Sequence, residues 1–241
     1  MIVAAAICPC PPLLVRELTG QAEVLPELRA ACAAAVGSLA AAGPDVIVVA
    51  GPAGQTAACD PGGRLDIAAY GPASALGGDR AGRAGGHEAG LPLSLGIGAR
   101  LLDEAGYTGA RALHGIAALA LPYDCLRLGH QVARSAPRVA LLAMGDGSAR
   151  RSASAPGYLD ERAAPFDAAV ERAVREADLA ALAALDPGLA ADLMAAGRPA
   201  WQVLAAALGA DADPSASPRT EVLYCDAPFG VAYLVATLAP R

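Results

Sequence analysis

The sequence has no lysine. Its 18 basic residues are all arginine, set against 24 acidic ones, for a net charge of −6. An acidic chain without a basic stripe, with only 4% aromatic residues, is a poor match for nucleic acid. No stretch reaches the roughly 18 unbroken apolar residues that a membrane-spanning helix needs, because Gly, Pro, Arg or Asp interrupts every candidate. A positively charged leader is also missing. Met1 to Ile7 runs directly into Cys8-Pro9-Cys10-Pro11-Pro12, so this segment reads as a buried strand rather than a signal peptide, and the expected location is cytoplasmic. Walker A, G-x-G-x-x-G and H-E-x-x-H patterns are absent; Gly96-Ile97-Gly98 lies in a helical pattern and lacks the third glycine. Six cysteines are spread without a secreted-domain pattern, which fits reduced thiols. What is abundant is apolar residue, 55% of the chain, much of it alanine, and this excludes intrinsic disorder.

The 241 residues suit one α/β domain. Apolar runs at Ile2 to Ile7, Asp45 to Ala50 and Arg138 to Met144 predict buried parallel strands, with a weaker one over Arg111 to Leu119. Between the first two, Leu28, Cys32, Ala35, Val36 and Leu39 recur at helical spacing over Glu27 to Ala42, and Gly43-Pro44 stops the helix. Further helices are predicted over Leu93 to Ala105, Asp124 to Ala133, Pro165 to Asp178, from Asp186-Pro187 to Gly197, and Pro199 to Leu208. Glu221 to Cys225 and Gly230 to Leu238 predict two closing strands close enough to pair antiparallel. The Gly- and Pro-rich segment 51–90 predicts a long loop, with a short strand around Arg64 to Tyr70. The expected architecture is therefore three-layer α/β/α with a mixed, mostly parallel central sheet.

In such sheets ligands bind at the carboxyl ends of the strands. Three loops fall there: Cys8 to Pro12, Gly51 to Gln55, and Gly145 to Arg150. Asp146 is the acid/base candidate by position. Gly145-Asp146-Gly147-Ser148 has the composition of a small anion nest, and Arg150 and Arg151 can hold an anion or pair with Asp160-Glu161. Cys10 is a candidate nucleophile or soft-metal ligand, with Cys8 read as a core thiol. The histidines are His87 in the glycine-rich loop, His114 on a strand where it can face the site, and His130 on a helix surface.

Several segments together resemble a known family. Ala6-Ile7-Cys8-Pro9-Cys10-Pro11-Pro12-Leu13-Leu14-Val15-Arg16-Glu17 resembles the first motif of class III extradiol ring-cleavage dioxygenases, the B-subunit (LigB-like) superfamily, to which Memo-like proteins also belong. Met144-Gly145-Asp146-Gly147-Ser148-Ala149-Arg150, followed by Ala155-Pro156-Gly157-Tyr158 and Pro165-Phe166-Asp167, resembles its GDxSH segment and the next helix. Asp186-Pro187 through Gly197 to Trp201, and Ala227-Pro228-Phe229-Gly230-Val231-Ala232-Tyr233, follow in the family's order. The resemblance implies one LigB-like domain over residues 1–241, and an Fe(II) site of two His and one Glu beside an acid/base His. Carried over, the first ligand falls on Cys10, the second near Ala53, the acid/base His on Ala149, and the last ligand between Glu221 and Asp226. Alanine offers no lone pair, so the resemblance implies a degenerate iron site with no resident cofactor.

The candidate catalytic residues are Cys10, Asp146, Ser148 and His114; Cys10, Cys225 and Asp226 are candidate metal ligands. If the chain is active, the resemblance implies an oxidoreductase of extradiol-dioxygenase type. The alternatives are a rearranged metal or thiol enzyme on the Memo-like pattern, in which Cys10 and Cys225 take a soft ion, and a non-catalytic binding or interaction protein. The expected partners are a small aromatic molecule and a second copy of the chain, with neither nucleic acid nor membrane.

Overall fold

The computed structural model describes residues 1–20, 24–70, 90–210 and 217–240. The segment 71–89, which holds His87 and about half of the glycine-rich loop, lies outside the described residues.

Seven strands form one sheet: β1 (Ile2–Cys8), β2 (Val46–Ala53), β3 (Ala57–Cys59), β4 (Ala110–Ala117), β5 (Val139–Met144), β6 (Arg219–Asp226) and β7 (Tyr233–Ala239), in the order β3-β4-β2-β5-β1-β7-β6. The inner four, β4-β2-β5-β1, are parallel. β7 pairs antiparallel with β1 and with β6, and β3 pairs antiparallel with β4. The architecture is α/β with a mixed sheet, mostly parallel in its centre. The continuous apolar runs follow from burial on both faces: every residue of β5 is buried.

Helices cover both faces. On one lie α2 (Pro26–Ala41) and α3 (Leu93–Glu104); on the other lie α4 (Pro122–Ala133), α5 (Ala163–Arg175) and α8 (Arg198–Gly209), joined to the short α6 (Leu179–Ala183) and α7 (Pro187–Asp192). A further turn, α1 (Arg16–Thr19), follows β1. α2 buries Leu28, Ala31, Cys32, Ala35, Val36 and Leu39, the stripe its spacing predicts. The Gly96-x-Gly98 pair serves close packing, because a Cβ at Gly98 would stand 2.6 Å from Val49 Cγ1 and one at Gly96 2.7 Å from Leu65 Cβ.

Three predicted elements differ. Arg64 to Tyr70 holds a 3-10 turn (Ile67–Tyr70) instead of a strand; the strand of this region is Ala57–Cys59, which uses the free edge of β4. The helix begun by Asp186 is capped as predicted, its carboxylate accepting the Leu189 N–H at 2.6 Å. It ends at Asp192 instead of Gly197, because Met194 takes a left-handed backbone (φ 56°). The predicted helix Pro165 to Asp178 stops at Arg175, and Asp178 caps a separate α6 by accepting the Ala181 N–H at 2.9 Å. Among the described residues no helix is long and apolar enough to cross a membrane.

Candidate functional site

The rim at the carboxyl ends of β1 and β5 is held by its own hydrogen bonds. The Cys10 N–H donates to Asp146 Oδ1 at 2.7 Å, joining the loops after the two strands. Gly145 N–H donates to Cys8 O at 2.9 Å, Gly147 N–H to Ala232 O at 2.7 Å, and Ala232 N–H back to Ser148 O at 2.8 Å. Ala149 N–H reaches Leu193 O at 3.0 Å and Arg151 N–H reaches Gly230 O at 3.0 Å. The segment 145–151 is thus laced between β1, the entry to β7 and the loop before α8. Its glycines are steric: a Cβ on Gly145 would collide with Gly197 Cα, and one on Gly147 would stand 2.8 Å from Ala232 Cβ.

This lacing corrects the anion-nest reading. The amides of Gly145 and Gly147 are bonded to carbonyls, and the Ser148 amide donates to Asp167 Oδ1 at 2.9 Å. No set of free N–H groups remains there for an anion. Ser148 also donates its hydroxyl to Asp167 Oδ2 at 2.6 Å, and Arg151 adds an ion pair to the same oxygen at 3.1 Å. Ser148 therefore faces α5, not Cys10. Nor do Arg150 and Arg151 pair with Asp160: Arg162 does, at 2.8 Å, while Arg150 contributes its carbonyl to the Asp160 N–H.

Asp146 sits at the centre of the rim. Burial pushes its carboxyl up to about 6, opposed by the Cys10 N–H it accepts. Burial also pushes the Cys10 thiol up, and the Asp146 charge adds to this. Cys10 is only 6% exposed, so both Cys8 and Cys10 are core thiols, and neither is ionised near neutrality. All six cysteines are free. Tyr233, 4% exposed, lies close enough for Asp146 and Cys10 to reinforce the upward shift that burial gives its phenol.

The structure brings Cys10 and Asp146 together and separates the other candidates. Cys10 packs with Ala6 and Cys8 in the core beneath α2 and α3. His114 sits opposite Ala50 in β2 and Ala58 in β3, on the face of β4 shared by Ala112 and Ile116, which pack toward α4 and α8. Burial lowers its pKa, and it does not reach the Cys10 rim. Cys225 lies at the exposed end of β6, where burial and then the Glu171 carboxylate of α5 push its thiol up to about 12. A bulge between Val222 and Tyr224 turns Cys225 toward α5, so Cys10 and Cys225 lie on opposite faces of the sheet. His130 is exposed on α4, as expected.

The positions that the resemblance matches to iron ligands do not fit iron. Cys10 offers one protonated, buried thiol. Ala53 borders an open groove of about 530 Å³ with Gln55, Asp60 and Pro92, and Ala149 is buried against the 193–197 turn; both end in a methyl group. Among the described residues no group of three or more His, Cys, Asp or Glu side chains is arranged to hold a metal ion.

Beside the rim, between α5 and the β6–β7 pair, lies a cavity of about 190 Å³. Asp167, Glu171, Cys225, Asp226, Tyr233 and Trp201 line it. Asp167 has no legible role in the sequence, because its partners, Ser148 and Arg151, come from a separate loop. The only available signal was a carboxylate set between Phe166 and Val170 on the helix's buried side.

No family model matches the chain, and no curated protein matches it. It is distantly similar to a number of solved chains. One of them is the uncharacterized protein JW3007 from Escherichia coli K12, with 13% identity and a TM-score of 0.48 over 98% of this chain and 99% of that one.

Proposed function

We propose that this chain is an extradiol-dioxygenase-like (LigB-like) protein that binds a small molecule without Fe(II)-dependent ring cleavage. The observation that carries this reading is Cys10. At the position matched to the first iron ligand, its thiol is buried and its amide is tied to Asp146 of the segment matched to GDxSH. A two-histidine, one-carboxylate face grips Fe(II) with three lone-pair donors. The methyl groups of Ala53 and Ala149 supply none. The test is protein loaded anaerobically with Fe(II), desalted, then exposed to catechol or protocatechuate in air. The expected result is sub-stoichiometric iron and no ring-cleavage chromophore; stoichiometric iron with cleavage contradicts the reading.

A thiol or soft-metal enzyme uniting Cys10 and Cys225 has less support, because the two thiols lie on opposite sheet faces and both are shifted away from ionisation. The same proposal includes a homodimer, motivated by the exposed apolar cluster Leu119, Leu121 and Tyr123 leading into α4. Light scattering is expected to give twice the chain mass, and a mass equal to one chain at every concentration overturns it.

A further inference from the structure

Three large apolar side chains stand in solvent where β4 passes into α4. Leu119 is 73% exposed, Leu121 64% and Tyr123 74%. The fold fixes the backbone that carries the leucines. Arg198, 1% exposed, donates to Ala118 O and to Ala120 O, each at 2.7 Å, and so pins the loop on both sides of Leu119. No carboxylate pairs with Arg198 among the described residues. A buried guanidinium without a counterion is costly, and its donors here serve the loop that holds leucines in water.

The exposed ridge continues along the helix. Tyr123, Leu126, Arg127, His130, Gln131 and Arg134 recur at three- and four-residue spacing, form one outer stripe, and line a shallow groove of about 690 Å³. The inner side of α4 is clamped: Cys125, Leu128, Gly129 and Val132 are buried, and a Cβ at Gly129 would collide with Val203 O of α8. The stripe is therefore a firm surface, and its two ends differ. The first turn carries the apolar groups and Asp124. The last carries Arg134, which forms no ion pair among the described residues. Arg127 has Asp124 of its own helix at 3.6 Å.

We propose that a second copy of the chain covers this stripe, with the two α4 helices antiparallel about a two-fold axis, so that Tyr123 of each copy lies against Arg134 of the other. The inference rests on the homodimer proposed above and specifies its contact. Antiparallel pairing joins unlike ends. The tyrosine ring receives the guanidinium of the other copy as a cation–π contact, Asp124 comes beside that same charge, and Leu119 and Leu121 leave water over the far end of the other helix. Arg127 and His130 meet at the axis, where Arg127 already has its own Asp124. A parallel pair would set Arg134 against Arg134, and an acidic foreign partner would leave the leucines uncovered.

Cysteine pairs read this register. In a C59S/C225S background, which removes the two native thiols outside the core, Y123C, R134C and the double variant are oxidised with copper phenanthroline. The double variant is expected to form a covalent dimer. Neither single variant should, because Tyr123 stands about 16 Å along the helix from its counterpart, as does Arg134, beyond disulfide reach. Leu121→Asp, at an exposed position that the fold does not need, is expected to weaken self-association about tenfold in a light-scattering dilution series. Cross-linking of a single variant overturns the pairing, as does none in the double variant or undiminished association of L121D while the parent still has twice the chain mass; each leaves the homodimer standing. One chain mass for the parent at every concentration overturns the homodimer, and this inference with it.

Discussion

The Cys10 rim and the cavity beside it are neighbours built on opposite principles. At the rim, the amides of Gly145, Gly147, Ser148, Ala149 and Arg151 find partners within the chain and Asp146 accepts the Cys10 N–H, while Arg150 Nε is buried with no partner. Across the Gly147 turn, Asp167 and Glu171 line the cavity in ion pairs, while Asp226 forms no ion pair among the described residues. A loop whose backbone amides are bonded within the chain is scaffold, whereas a cavity lined by side-chain carboxylates is open to a ligand. The lesson is that the loops bearing Cys10 and Asp146 are tied to one another by backbone bonds, and the solvent-facing carboxylate stands beside them at Asp226.

The strongest way to break this contrast is steric. Gly145→Ala drives a Cβ into Gly197 Cα, and the laced segment must move. We expect a loss of about 3 kcal/mol, roughly 10 °C in Tm, by thermal unfolding; a change under about 2 °C would show that the rim is loose. Next comes Asp146. Its folded pKa of about 6 lies above the ordinary aspartate value of 3.8, so the folded state holds the extra proton between these values, and stability falls as pH rises through that window. Asp146→Asn is expected to remove about 2 kcal/mol of that decline, read from denaturant unfolding at a series of pH values. An unchanged pH slope would place the charge in solvent.

Asp167→Ala tests the seam between the two regions. It strips Ser148 of two acceptors and Arg151 of its ion pair, and we expect a cost of about 2 kcal/mol. In a Ser148→Ala background the cost should shrink, because the pair is coupled; strict additivity would dissolve the network. The smallest effect is chemical. Glu171 helps hold the Cys225 thiol near 12, so Glu171→Gln should raise its thiolate fraction and speed alkylation by iodoacetamide at pH 8 a few-fold. Cys10 should stay unmodified in the native protein throughout; its prompt alkylation would mean that the rim opens.

Sequence reasoning reached the local features and missed the ones made by distant contacts. β1, β2 and β5 were legible because strands buried on both faces are apolar throughout. The Asp186 cap was legible because its acceptor serves an amide three residues on. β3 was hidden in a Gly- and Pro-rich stretch, since three residues become a strand only by pairing with β4. Cys10 and Asp146 were each singled out, but their bond spans 136 positions and had no local mark. Ser148 was assigned to the same site, yet its hydroxyl turned to Asp167, a helix residue 19 positions on. His114 and Cys225 were lost to geometry: strand alternation and one bulge decide which sheet face a side chain occupies. Trp201 reads as core from its apolar helix, and the structure buries it there.

The central claim is that the rim's donors serve the fold and leave nothing to grip iron. Its most direct test is an anaerobic titration of nitrogen-15-labelled protein with paramagnetic Fe(II). The account predicts that the amide signals of Cys10, Gly145 and Gly147 keep their intensity as one equivalent is added. Selective loss of those three signals at that ratio would contradict it.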